Sequence, residues 1–360
     1  MRAWGVTYDT GFTNRGTTTH EPFDPDIVAK DMRIIRDDLH ADAVRITGGV
    51  ADRLEIAARH AVAAGLEVWY CPFTNDLTTD QLLAFLLDAA ERAERIRREG
   101  ANIRFLTGSE ISMMTIGLMP GDTLTERAAV LADPARVREV LPGVQRETNA
   151  LLARAAAGAR ERFGGLIGYA SLPTEAVDWA PFDFIATDAG YRDASNAAAL
   201  PANLAAMTSQ GKPFAVTEFG CAPFTGAADR GSRSDIIGYD EDTAQAVRLT
   251  ETVERDEPEQ AAYLRDLLDV YDAGGVDTAF VHTFATRQLP TSEDPARDFD
   301  LGSFGIVKVL PAGRTGTAYP GMPWEPKAAF HALAEYGRAR TSTPADLTRA
   351  KLASPLTTDP

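Results

Sequence analysis

Residues 213–220 read PFAVTEFG, a short apolar run with no helical period that ends on a carboxylate, Glu218, and breaks at Gly220. An apolar strand with an acid at its carboxyl end, followed by a glycine break, is how a parallel α/β barrel presents a catalytic side chain. Seven more stretches read the same way: AWGVTYD (3–9), DAVRITGG (42–49), LEVWYCPF (66–73), NIRFLTGSE (102–110), LIGYASLP (166–173), FDFIATDAGY (182–191) and TAFVHTFA (278–285). PFAVTEFG is the seventh of the eight in chain order.

Helical segments alternate with them. Asp24 before Pro25 caps the first, whose Ile27, Met32, Ile35 and Leu39 form a one-sided apolar stripe. ADRLEIAARHAVAAG stops at Gly65, and TTDQLLAFLLDAAERAERIRREG runs from a cap at Thr78 or Thr79 to Gly100. A short helix is expected near 133–141, a longer one near 143–163, and one or two turns in TEAVDWAP. An alanine-rich helix then runs to Gly211, and EPEQAAYLRDLLDVYDAGG and PWEPKAAFHALAEYGRAR complete the set. Eight apolar strands alternating with helices imply a parallel sheet buried on both faces, and the count closes a single (β/α)8 TIM barrel of the α/β class. An open doubly wound sheet fits less well, because no Gly-x-Gly-x-x-Gly turn follows the first strand. Residues 1–340 are expected to form the barrel and 341–360 a polar C-terminal tail. The extended loops follow strands 4, 7 and 8, over the carboxyl-end face where barrels bind ligands.

Composition narrows the partners. The chain has 360 residues, 44% of them apolar, and a formal net charge of −16. That supports a large core and disfavours nucleic acid and anionic membrane surfaces. Two distant cysteines, Cys71 and Cys221, indicate no disulfide framework, and Cys221 reads as an incidental buried thiol. MRAWGVTYDTGF lacks the basic-then-apolar pattern of a signal peptide, so a cytoplasmic location is expected. The five histidines, His20, His40, His60, His282 and His331, show no metal-ligand spacing, so neither a metal nor a cofactor is expected.

The chemistry rests on two carboxylates. Glu110 ends LTGSE at strand 4 and Glu218 ends AVTEFG at strand 7, so both face one barrel mouth. Such a pair suits glycosidic bond cleavage: one acid protonates the leaving oxygen while the other, charged, attacks or stabilises the oxocarbenium-like centre. Mutual proximity and burial raise the pKa of the acid. This arrangement resembles the retaining glycoside hydrolases of clan A, the "four-seven" superfamily of (β/α)8 barrels. The resemblance implies Glu110 as acid/base, Glu218 as nucleophile, Arg45 (in AVRITGG) as the arginine that keeps the nucleophile charged, and Tyr191 (in FIATDAGY) as its hydrogen-bond donor. It also implies a small-molecule or oligosaccharide substrate. Three positions depart from the pattern. Ser109 replaces the asparagine usual before the acid/base, Asp188 stands where asparagine is common in strand 6, and His282 is nearest to the usual strand-8 tryptophan.

Further substrate contacts are expected from Trp69, with Tyr70 and Phe73 beside it, from Asn75 just after strand 3, and from His282. Glu175, shortly after strand 5, is a third carboxylate that would substitute for Glu110 under a different strand register. DFDLGSFGIVKV (298–309) reads as a candidate lid without calcium-loop spacing. Two other functions fit the same acids: a non-hydrolytic carbohydrate-binding barrel, and a barrel lyase or isomerase using one carboxylate as base.

Overall fold

The computed structural model describes residues 1–240 and 242–341. From residue 342 onward the expected tail lies outside the described residues. Eight parallel strands close a barrel: β1 (Ala3–Asp9), β2 (Ala43–Gly48), β3 (Glu67–Pro72), β4 (Ile103–Ser109), β5 (Leu166–Ser171), β6 (Ile185–Thr187), β7 (Phe214–Phe219) and β8 (Thr278–Val281). Neighbours in sequence are neighbours in the barrel, and β8 pairs back onto β1 with Ala3 opposite Thr278. The helices are α1 (Pro25–Asp37), α2 (Ala51–Ala63), α3 (Thr79–Arg98), α4 (Leu124–Ala132), α5 (Pro134–Arg162), α6 (Leu200–Thr208), α7 (Glu257–Ala273) and α8 (Ala328–Thr341).

Small and large side chains interlock to fill the barrel floor. Ala3, Ala43, Ala170, Ala186 and Ala215 leave room for Trp69, Phe184 and Phe280, all buried in one cluster. The Trp69 ring meets Phe184 and Phe280 edge-on at centroid distances of 4.8 and 5.0 Å. Its indole N–H donates to Glu67 at 2.8 Å, and the Arg104 guanidinium lies over its face. Trp69 is therefore part of the floor, at the end opposite the mouth, and this corrects the expectation that it contacts substrate. Its place in the strand alternation points it inward one layer below Cys71.

Five sequence expectations shift on inspection. β6 spans three residues and not ten, because the chain after Thr187 bends inward and Asp188 and Gly190 donate their amides to the Ser171 and Glu218 carbonyls. The short helix expected near 133–141 lies earlier, at α4, where a Thr123–Glu126 capping box starts it. α5 runs unbroken through Pro142, which lies on its exposed side where water can take the carbonyl that proline leaves unbonded. The polar loop after β7 contains an antiparallel hairpin, Ile237–Tyr239 with Ala246–Leu249. Trp324–Pro326 is a strand paired with Val307–Val309, so α8 starts later than expected.

No α-helix covers the connection from β5 to β6. A 3₁₀ turn, Pro173–Glu175, takes its place. An open groove of about 670 Å³ follows from this, lined among others by Trp179, Leu204, Met207, Phe214 and Val216.

Because Trp69 has no small-residue substitute in the floor, Trp69→Ala is expected to destabilise the fold by about 3–5 kcal/mol. Equilibrium denaturant unfolding checks this.

Candidate active site

The site is assembled around one buried arginine. Arg45 points inward from β2 with no solvent exposure. Its Nη1 donates to Glu218 Oε1 at 2.7 Å and to the Thr217 carbonyl at 3.2 Å. Its Nη2 donates to Ser109 Oγ at 3.1 Å and to Asp188 Oδ2 at 3.2 Å, and reaches Cys71 Sγ at 3.6 Å. Ser109 in turn donates its hydroxyl to Asp188 Oδ2. One cation thus joins side chains from β2, β3, β4, β7 and the segment after β6.

Glu218 has two further neighbours. The Tyr191 hydroxyl donates to its Oε2 at 3.2 Å, and His282 Nδ1 stands 3.5 Å from the same oxygen. Gly220 makes the second approach possible: a Cβ there would lie 2.5 Å from the His282 carbonyl oxygen. The glycine that ends PFAVTEFG therefore lets the end of β8 close against β7. Phe304 packs against both the Tyr191 and His282 rings, with centroids 6.0 Å away in each case. Phe304 was not identifiable from sequence, since an isolated phenylalanine in a loop carries no signal of its own. It lies within the 298–309 segment read as a lid.

The electrostatics separate the two glutamates. Burial works to raise the pKa of Glu218, but His282, Arg45 and the Tyr191 hydroxyl oppose it and leave it below the ordinary carboxylate value. Glu110 is driven the other way. Burial comes first, then the charges of Glu218, Asp188 and Glu175, and together they hold its carboxyl well above the usual range against the weaker pull of Arg45. Burial likewise pushes Asp188 up to about 6, with Arg45 opposing and Glu218 adding to the rise. One guanidinium cannot neutralise two carboxylates, and the excess charge adds to burial in favouring the protonated form of Glu110.

The structure brings together Glu110, Glu218, Arg45, Ser109, Asp188, Tyr191 and His282. Within this group Arg45, Ser109 and Asp188 form a buried layer behind Glu218, while Tyr191 and His282 remain partly exposed at the mouth. Two nominated substrate contacts lie elsewhere. Trp69 is in the floor. Asn75 is buried and accepts from Arg127 through Oδ1 while its Nδ2 donates to Asn14 at 2.8 Å, so both ends of its amide are used in fixing loops. Glu175 does not reach the mouth as an alternative acid. Its carboxylate is buried and accepts from Ser112 N, Leu172 N and Tyr169 Oη.

The candidate lid is anchored by its acids. Asp298 and Asp300 pair with Arg255 at 2.9 and 2.7 Å, and Asp300 pairs with buried Lys327 at 2.8 Å. Among the described residues, no group of three or more His, Cys, Asp and Glu side chains is arranged to hold a metal ion. No described helix is long and apolar enough to cross a membrane.

The (β/α)8 fold is shared with solved structures of low sequence identity. A GH113 β-1,4-mannanase solved as a complex superposes with a TM-score of 0.57 at 16% identity, covering 94% of this chain and 100% of that one. The GH113 β-mannanase AaManA from Alicyclobacillus acidocaldarius, solved with ManMIm, gives a TM-score of 0.58 at 16% identity, with 93% and 96% covered. The β-glucuronidase of Parabacteroides merdae gives 0.51 at 12% identity, covering 93% of this chain and 36% of that one. No family model and no curated protein matches the chain. At these identities the likeness is one of fold, an eight-stranded (β/α)8 barrel.

Two outcomes follow from the charge arrangement. Arg45→Met, which leaves Glu218 and Asp188 buried without a cation, is expected to cost about 3–5 kcal/mol in denaturant unfolding. Glu110, with its pKa raised in the fold, adds stability that is complete below its unfolded pKa and is lost as pH rises through the folded value. Glu110→Gln removes that loss. Its melting temperature should exceed that of the wild type by about 2–4 °C at pH 8, with the gap closing at pH 4.

Proposed function

We propose that this chain is a retaining glycosidase that cleaves a β-linked sugar by double displacement, with Glu218 as nucleophile and Glu110 as acid/base. The reading is carried by the opposed proton affinities of the two acids at one mouth: that of Glu218 is lowered by His282, Arg45 and Tyr191, while that of Glu110 is raised by burial and its acidic neighbours. In the first step Glu218 attacks the anomeric carbon while Glu110 transfers its proton to the leaving oxygen. In the second, Glu110, now charged, takes a proton from water as the water displaces Glu218. Arg45 and Tyr191 hold the nucleophile's oxygens and so fix which one faces the sugar.

Sugar contacts are assigned to His282 and to the Phe12–Phe73 pair, two partly exposed rings 4.9 Å apart at the ends of β1 and β3. Rings beside hydrogen-bonding groups suit pyranose faces. The β-mannanase activity of the GH113 neighbours makes β-1,4-linked mannose oligosaccharides the first substrates to try. A second reading, sugar binding without turnover, is favoured by one observation. The Ser109 hydroxyl is committed to Arg45 and Asp188 and is not open to a sugar hydroxyl.

Screening aryl β-glycosides and β-1,4-mannooligosaccharides should reveal hydrolysis with the β-anomer as first product by NMR. Glu218→Gln should lower kcat/KM by at least roughly 10³-fold. Sugar binding by calorimetry with no turnover on any substrate would establish the second reading instead. The pH profile of kcat/KM should fall on the acid side as Glu218 protonates and on the basic side as Glu110 loses its proton.

A further inference from the structure

Glu110 adopts a left-handed backbone conformation, φ 49° and ψ 35°, where β4 gives way to the single helical turn Ile111–Met114. A non-glycine residue in that region costs on the order of 1 kcal/mol or more and persists when its surroundings over-determine it. The contacts that do so lie behind the barrel wall. Glu110 N donates to the Ala170 carbonyl at 3.0 Å. The next two amides are held by side chains: Ile111 N donates to Tyr169 Oη at 2.8 Å, and Ser112 N donates to Glu175 Oε1 at 2.9 Å. Tyr169 Oη donates to the same Glu175 oxygen at 2.8 Å, and Leu172 N occupies Oε2 at 2.8 Å. Tyr169 and Glu175 are buried, one on β5 and the other in the 3₁₀ turn that replaces a helix. Every neighbour of the Glu175 oxygens donates, which favours the carboxylate, while burial works the other way and raises its pKa.

We propose that Tyr169 and Glu175 are positioning residues for the acid/base. They clamp the two amides that follow Glu110 and thereby hold its backbone turned so that its carboxyl faces Glu218. The inference rests on the reading of Glu110 as acid/base and adds to it two groups that never touch substrate. The 3₁₀ turn that displaces a helix from this connection is what brings Glu175 under the β4 end.

Tyr169→Phe keeps the ring stacked on Phe182 and removes the hydroxyl. It should lower kcat/KM roughly 10–100-fold on an unactivated β-oligosaccharide, which needs the acid, and less than about threefold on a 2,4-dinitrophenyl glycoside, which does not. Equal losses on both substrates would overturn the positioning role. Glu175→Gln keeps the shape but replaces one acceptor oxygen with an N–H donor facing the groups it held, and it should show the same split between the two substrates. Equal losses on both would overturn its share of the clamp. If Glu175→Gln does not fold, Tyr169→Phe carries the test. If the wild type cleaves neither substrate, the glycosidase reading fails. The clamp is then decided by amide exchange at Ile111 and Ser112, which must quicken in Tyr169→Phe for it to stand.

Discussion

A guanidinium with no access to water must find anions, because the cost of an isolated buried charge far exceeds any packing gain. Arg45 finds two, Glu218 and Asp188, and its two terminal nitrogens also reach Ser109, the Thr217 carbonyl and Cys71. These partners come from different staves of the barrel, so a single side chain sets the spacing of the mouth. Its charge is also too small for its partners. Two carboxylates on one cation leave a negative excess beside Glu110, which adds to the effect of its burial and raises its pKa while that of Glu218 is lowered. The asymmetry that acid–base chemistry needs therefore follows from burial of Glu110 together with the charge count around it.

Much of this was legible in the residues. The eight apolar runs, their acids at strands 4 and 7, and Arg45 at strand 2 all lie where period and punctuation place them, because a parallel strand buried on both faces leaves a plain apolar signature. What the sequence hid were choices between equivalent neighbours. Trp69 and Phe73 are both aromatic and both belong to the third strand region. Alternation sends Trp69 into the floor, while Phe73, beyond the strand end, stacks with Phe12. Ser109, Asp188 and Asn75 look like hydroxyl binders one at a time, but their hydrogen-bonding capacity is taken by partners distant in sequence, which no local pattern announces. Tyr169 and Glu175 were hidden for the same reason. Their role exists only once β4 and β5 are side by side.

The loops over the mouth follow similar logic. Acidic runs that resemble a mobile or cation-binding segment are held by Arg255 and Lys327, so the 298–309 stretch acts as a brace that seats Phe304 between Tyr191 and His282. A second brace crosses the entrance, where the hairpin strand Thr17–Thr18 after β1 donates through Thr17 Oγ1 to the Thr243 carbonyl in the hairpin after β7. Charge pairing and hairpin contact act there together with the buried Phe224, Ile236 and Ile306 of the same loops.

The short β6 has a consequence for how the barrel comes apart. This stave has three paired residues and no helix packed over its connection from β5, so it has fewer buried contacts to lose than any longer stave with its own covering helix. Local opening is easiest along such a seam, and the barrel can part there while the remaining staves keep their packing. The chain that leaves β6 carries Asp188 and Tyr191, which are tied to Arg45 and Glu218. The charge cluster of the mouth is thus also a latch across the weakest stave, and a molecule that fills the mouth and steadies Glu218 tightens the barrel wall at the place where it would otherwise open first.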